Sequence, residues 1–561
     1  MSKLEELYKL FKSGDIDASL NSVEEILSNA PNNPDALHLG AMIFNAKGEI
    51  QNAHNYITKA LQLSPQNYEM FNTLGNVFFQ SKDIRRARIS YQTAIDLNVS
   101  YEAALKNLAS LEIEDSRPFV ALDILKDAKK LSPQNTLYDY MIIRCLRQSE
   151  QIEAAYSYLE DMEVSKESDG YLYQKSQLLY ELGKFDDAIN VNSQLITSPD
   201  YSKNAIMAIA QIYHMTGQWD KCLAFFDDLK IKYGNNSNIL LAIAHAYLKP
   251  DDTKKALETI ELDEDNHKKH VEFISLKGQI ALKESRFETA YQESLRALKL
   301  TPGNINLMSH LALAAIATKR HEEALTLAEN ALLKNPYDQF WIAIKATGGR
   351  LKGQDYKYYY NYSKFVKVYD LVPPIGFSSI GHFNIALKGA LDRLHGFSNT
   401  PLDQTLRIGT QTSPNLIHLD IPIIRSFFEM INDPIRDYLK HIGQDIHHPL
   451  LKRNSGDYRL HSAWSVKLNK YGHHVNHVHP EGWISSSYYV DTPDISEDDP
   501  QKSGWIQFGT PPVNVPELPA ELTIAPKVGR LVLFPSYIWH GTIPSKSEKA
   551  RMTLPFDLIP A

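Results

Sequence analysis

Two histidines separated by one residue, His477 and His479, sit in the segment HHVNHVHPEGWISSSYYV. On an extended chain successive side chains alternate between faces, so both imidazoles project from the same side. That is how a strand offers two ligands to one metal ion. A third imidazole, His540, follows 61 residues after His479 in RLVLFPSYIWHGTIP, directly behind a strongly apolar run. A barrel can return such a residue beside the first pair. Imidazole donors suit zinc, copper, iron and nickel. Arg551 completes the set: the midpoint between 540 and 551 falls in Pro544-Ser545-Lys546-Ser547, a composition suited to a turn. If 540–544 and 548–556 form a hairpin, His540 and Arg551 become near cross-strand neighbours with Cα atoms about 5 Å apart. A short dicarboxylate can then chelate the metal at one end and meet the guanidinium fork at the other. Each member alone carries little weight, and the neighbouring His473 and His474 read as surface or satisfied residues, as do His447 and His448 in a loop before proline.

The elements that must position this set are written in period-2 patterns. From Trp464 onward the runs AWSVKLNK, ISSSYYV, GWIQFG, RLVLFPS and RMTLPFDL are rich in branched and aromatic residues and are separated by Gly, Pro and Asp clusters, which predicts short strands. Four of the six tryptophans (Trp464, Trp483, Trp505 and Trp539) fall here, as expected of a packed all-β core of about 100 residues. Trp483 and Trp505 are expected in that core rather than in a pocket wall. Upstream, Ile424, Phe427, Phe428, Ile431, Ile435 and Leu439 recur at helical spacing, with Pro434 placed to bend the helix.

The first 337 residues follow a different rule. Small residues recur at Ala53, Ala87, Ala121, Ala155, Ala188, Cys222, Ala256, Ala290 and Ala324, spaced by 34 except for one gap of 33. Parallel registers run through Ala60, Ala94, Ala128, Ala297 and Ala331, and through Ala41, Gly75, Ala109, Ser176, Ala210, Ala244, Gly278 and Ala312, while Pro31, Pro65, Pro133, Pro302 and Pro336 mark unit ends. Two helices per unit need small residues where they cross, and a proline where the second one stops. The pattern resembles the tetratricopeptide repeat over nine units, with KSGDIDASLNSVEEIL as a partial or capping unit. That resemblance implies an α-solenoid whose groove takes a protein or peptide partner.

Composition limits the alternatives. At 561 residues the chain holds several domains, and 59 Lys+Arg against 67 Asp+Glu leave no basic field for nucleic acid. The two cysteines, Cys145 and Cys222, exclude a disulfide framework and a cysteine zinc site. No apolar run approaches the ~18–20 residues of a membrane span, so a soluble, cytoplasmic protein with no membrane partner is expected.

The stretches HVHPEGWISSSYYV, VGRLVLFPSYIWHGT and RMTLPFD, with DQTLRIGTQT upstream, resemble the Fe(II)/2-oxoglutarate-dependent oxygenase domain found fused to tetratricopeptide repeats. The resemblance covers roughly the last 200 residues, with its specific motifs in the last 100. It implies a double-stranded β-helix of jelly-roll or cupin type, Fe(II) at the barrel mouth, O2 and 2-oxoglutarate as co-substrates, and Arg551 on the distal carboxylate of 2-oxoglutarate. Most of the superfamily pairs a histidine with Asp or Glu two residues on, whereas here His477 pairs with His479. Three readings stay open: a three-histidine site of His477, His479 and His540; a His479-x-Glu481 pair with Glu481 as the carboxylate; or a barrel that has lost its metal. The division expected is 1–337 solenoid, 338–460 connector and supporting helices, and 461–561 β-helix core. The activity implied is hydroxylation of a macromolecule recruited by the repeats. The rivals are a repeat scaffold with a silent barrel and a three-histidine cupin-like metalloenzyme that does not use 2-oxoglutarate.

Overall fold

The computed structural model describes residues 3–561 other than 235, 264–267, 355, 398, 403 and 494–497. Asp403, at the head of DQTLRIGTQT, therefore lies outside the described residues.

The repeat registers become helix pairs such as Tyr68–Gln80 with Ile84–Leu97 and Val271–Lys283 with Phe287–Leu300. All nine small residues of the first register, Ala53 through Ala324, are buried at 0–1% exposure. They let the two helices of a pair approach closely. At Gly75 the need is explicit, because an added Cβ would meet the Tyr91 ring at 2.4 Å. A further register links each helix to its partner: Gly48, Lys82, Ser116, Glu150, Gly183, Gly217, Asp251, Ser285 and Lys319 all adopt positive φ. The turn between paired helices thus closes on a left-handed residue in every unit, including several without glycine.

The chain forms two compact units, Met1–Val164 and Ser165–Ala561. The second contains the later repeats and the whole β domain. Its β-strands are β1 Lys367–Asp370, β2 Leu406–Gln411, β3 Tyr458–Ala463, β4 Val466–His474, β5 Ile484–Asp491, β6 Ile506–Phe508, β7 Leu522–Ile524, β8 Arg530–Pro535, β9 His540–Thr542, β10 Arg551–Leu554 and β11 Phe556–Pro560. The larger sheet runs β1-β8-β5-β10-β4-β2, with β11 pairing β3 and β5; the smaller runs β7-β6-β9. Every pairing is antiparallel. The strand runs thus form an all-β core, and its two antiparallel sheets are consistent with the double-stranded β-helix that the resemblance implies.

The hairpin expected between His540 and Arg551 does not form. β9 pairs with β6 in the smaller sheet, while β10 pairs with β4 and β5 in the larger. Because β9 and β10 lie in different sheets, the turn at 544–547 is a crossover from one sheet to the other and not a hairpin end. The long amphipathic helix also divides, into Pro422–Met430 and Asn432–Ile442, and Pro434 falls in the first turn of the second, where a missing N–H costs nothing.

Repeats and barrel of the second unit share one core. Leu311, Ala324 and Trp341 belong to the same buried cluster as Trp483, Phe534 and Trp539. Trp539, next to His540, packs edge-on against Phe340 at 5.9 Å and donates its indole N–H to Thr347 Oγ1 at 2.9 Å. Arg350 donates to the carbonyls of Gly509 and Pro519 at 3.0 and 2.9 Å. Upstream of β2, Phe397 stacks on Tyr180, Asn399 donates to His214 O at 2.9 Å, and Leu402 is buried among the repeat residues Ile206, Ala210 and Tyr247. Trp539→Ala should therefore destabilise the second unit by about 3–5 kcal/mol, read as a shift in denaturant midpoint.

Candidate metal centre

His477 follows β4 and is drawn against β9 by backbone alone: His477 N donates to His540 O at 2.9 Å, and His540 N donates to His477 O at 3.0 Å. The two residues are directly opposed across an isolated antiparallel bridge. His479 is fixed by its own N–H on Ser536 O at 3.0 Å. The three rings then converge, with centroids 4.3, 5.0 and 5.1 Å apart. One nitrogen from each ring lies within 4.8 Å of the others, and this is the group of metal-ligand type found among the described residues.

Their tautomers follow from their partners. His477 Nδ1 lies 2.8 Å from Val475 O, and His540 Nδ1 lies 2.9 Å from Ile538 O. A carbonyl only accepts, so both Nδ1 atoms carry the proton and both Nε2 atoms present lone pairs. His479 Nδ1 lies 2.7 and 2.8 Å from the two Asp557 oxygens, which turns its Nε2 inward as well. His477 Nε2 and His479 Nε2 are 3.1 Å apart. Two lone pairs at that distance repel unless a proton or a metal ion lies between them. Burial opposes the proton: it pulls the His477 pKa down to about 3, with the His479 ring adding to it, and holds His540 well below its ordinary value. Three inward-facing nitrogens with tied outer edges form a donor set for a divalent ion.

The candidate co-substrate residue lines the same cavity, together with Trp464, His474, Tyr489, Phe534 and Thr542. Arg551 is buried at 4% exposure. It donates to Gly504 O at 2.6 Å and to Thr542 Oγ1 at 3.3 Å, and its Nε has no partner among the described residues. Its guanidinium lies 5.5 Å from the Tyr489 ring. Removal from water lowers its pKa. A buried cation with no carboxylate partner among the described residues, and with a donor left over among them, fits an anion from outside the chain. The link from Arg551 to Thr542, two residues after His540, is thus made across the barrel rather than along a hairpin.

Glu481 does not join the cluster. Its side chain is 82% exposed, with His461 Nε2 at 3.7 Å. His474, read as a surface or satisfied residue, is half-buried and satisfied, with Nδ1 3.1 Å from Thr405 Oγ1; its ring lies 5.7 Å from that of His477 and it lines the cavity. His448 serves the fold, joining Tyr358 O through Nε2 and accepting the Leu450 N–H through Nδ1. Trp483 is a core residue whose indole donates to Leu450 O at 3.0 Å. Asp557 escaped sequence reasoning, since it is 78 positions from its partner His479. Only its place in the inward-facing register of a final strand could have marked it.

The family model described as "Putative 2OG-Fe(II) oxygenase" matches residues 462–557. Models for subunit 3 of the anaphase-promoting complex (cyclosome) and for ChAPs (Chs5p-Arf1p-binding proteins) match residues 119–195 and 163–340. A TPR repeat-containing protein of Methanocaldococcus jannaschii is 20% identical over 380 residues, 57% of this chain and 67% of its own. Among solved structures, a tetratricopeptide repeat protein from Parabacteroides merdae is 18% identical with TM-score 0.32, covering 52% of this chain and 99% of that one. Yeast Tom70 is 13% identical with TM-score 0.35, covering 63% and 95%. The chain is a tetratricopeptide-type solenoid joined to a C-terminal domain that matches the 2OG-Fe(II) oxygenase family.

Proposed function

We propose that the protein is an Fe(II)- and 2-oxoglutarate-dependent oxygenase, a hydroxylase whose repeats recruit a protein or other macromolecular substrate. The observation that carries the reading is the pairing, in one cavity, of three inward imidazole nitrogens with a buried arginine that has no carboxylate partner among the described residues. His477, His479 and His540 would hold the metal. Arg551 would hold the distal carboxylate of 2-oxoglutarate and so orient its keto-acid end toward them. With iron bound, O2 and 2-oxoglutarate supply the oxidation: one oxygen atom enters the substrate C–H bond, and the other leaves in succinate as CO2 is released. The chain binds and orients these partners and keeps bulk water away through Trp464, Phe534 and Tyr489 around the cavity.

Recruitment falls to residues 1–337, support to 338–460 and chemistry to 461–561 in this proposal. In the first unit a cleft of about 600 Å³ is lined by Tyr8, His38, Asn72, Asn76 and Tyr101. Asn107 ties Asn72 to Asn76 at 2.9 and 3.1 Å, presenting side-chain amides of the kind that bind an extended backbone. No helix among the described residues is long and apolar enough to cross a membrane.

One observation favours a second reading. No carboxylate stands among the three candidate donors, as in a cupin-like metalloenzyme that uses no 2-oxoglutarate. Incubating the iron-loaded protein with 2-oxoglutarate in air separates the two. Succinate formation that requires both iron and enzyme is expected; its absence together with another iron-dependent O2 uptake would favour the alternative.

A further inference from the structure

Asp557 touches the three-histidine cluster from outside, and the proposed reaction gives it no role. Its carboxylate is buried at 5% exposure. It receives His479 Nδ1 at 2.7 and 2.8 Å and the Ser485 hydroxyl at 2.7 Å, and Ser485 Oγ in turn lies 2.8 Å from Ser536 Oγ. The basic side chain against it among the described residues is the imidazole, not a lysine or arginine. β11 carries an irregularity between Asp557 and Leu558, where the register against β3 shifts. Gly482 leaves the space free, since a Cβ there would stand 2.4 Å from Ser536 Oγ and 3.4 Å from Asp557 Cγ.

The other two rings are tied to backbone carbonyls, which are neutral. His479 alone is tied to a carboxylate. Three neutral imidazoles leave a divalent ion with its full double charge, in a cavity that already holds the buried Arg551 cation. A carboxylate accepting the Nδ1–H makes the opposite nitrogen a stronger donor and fixes the ring's direction.

We propose that Asp557 is a positioning residue that supplies, through His479, the negative charge that no direct ligand provides. The proposal rests on the metal reading of His477, His479 and His540. It places in the outer contact of the site the carboxylate that most of the superfamily places on the metal.

The test is a titration of the metal-free full chain with Co(II), followed by its visible absorption. Asp557→Asn keeps a carbonyl oxygen for the Nδ1–H and removes only the charge. It should bind Co(II) about 10- to 100-fold more weakly than the unaltered protein, with the near-ultraviolet circular dichroism unchanged. Asp557→Glu, which keeps the charge, should recover part of that loss and serves alone if the asparagine variant does not fold. Affinity in Asp557→Asn equal to that of the unaltered protein would overturn the proposal, and so would an equal loss in both variants. Failure of the unaltered chain to bind Co(II) would instead remove the metal reading beneath it.

Discussion

Replacing His540 or His477 by alanine should bring iron-dependent succinate formation from 2-oxoglutarate to background. The two residues exchange both backbone hydrogen bonds and present Nε2 atoms from opposite strands, so neither imidazole can be replaced by movement of the other. Loss of one of the three proposed donors would remove the chelate expected to hold the ion. His479→Ala should do the same, whereas Glu481→Ala should keep near-full activity because that side chain is 82% exposed outside the cluster. The pair of variants decides between the three-histidine site and a His479-x-Glu481 pair. Activity retained in His479→Ala and lost in Glu481→Ala would assign the carboxylate. As purified in air the protein should carry some zinc or nickel, which bind such donors more tightly than Fe(II); elemental analysis of the His540→Ala protein should show that metal gone.

Arg551→Ala should leave metal binding nearly intact and raise the 2-oxoglutarate concentration needed by roughly ten- to a hundred-fold. Hydrogen bonds to a charged group contribute about 1.5–3 kcal/mol, and each 1.4 kcal/mol is a factor of ten in affinity. Arg551→Lys should recover part of the loss, since an ammonium keeps the charge but not the planar fork. The buried guanidinium also meets Gly504 O and Thr542 Oγ1, so the comparison is made on folded, metal-loaded protein. An unchanged 2-oxoglutarate affinity there would mean that Arg551 only braces β10.

The solenoid was readable because its constraint is local and repeated. Each of the nine first-register positions must be small for two adjacent helices to cross, and each is buried. The strand runs were readable for a similar reason, in their alternation of branched and aromatic residues. Pairing was not. The hairpin assigned to 540–556 assumed that neighbours in sequence pair, whereas β9 and β10 belong to different sheets. β1, β2 and β7 lack long apolar alternation and are defined by the strands they join, so their 4, 6 and 3 residues carried no strand pattern, although β2 lies within the DQTLRIGTQT stretch of the resemblance. At the site, residue types and the x-spacing placed His477, His479, His540 and Arg551 in one cavity. The place of His474 on the cavity wall and the contact of Asp557 depend on tertiary packing that no spacing encodes.

The most direct measurement is anaerobic. Metal-free protein is loaded with Fe(II), 2-oxoglutarate is added without O2, and the visible spectrum is recorded. The account predicts a new charge-transfer absorption that saturates with 2-oxoglutarate, is absent in His540→Ala, and needs more 2-oxoglutarate in Arg551→Ala. Iron binding with no spectral change at saturating 2-oxoglutarate would contradict it, leaving a metal centre that does not take this co-substrate.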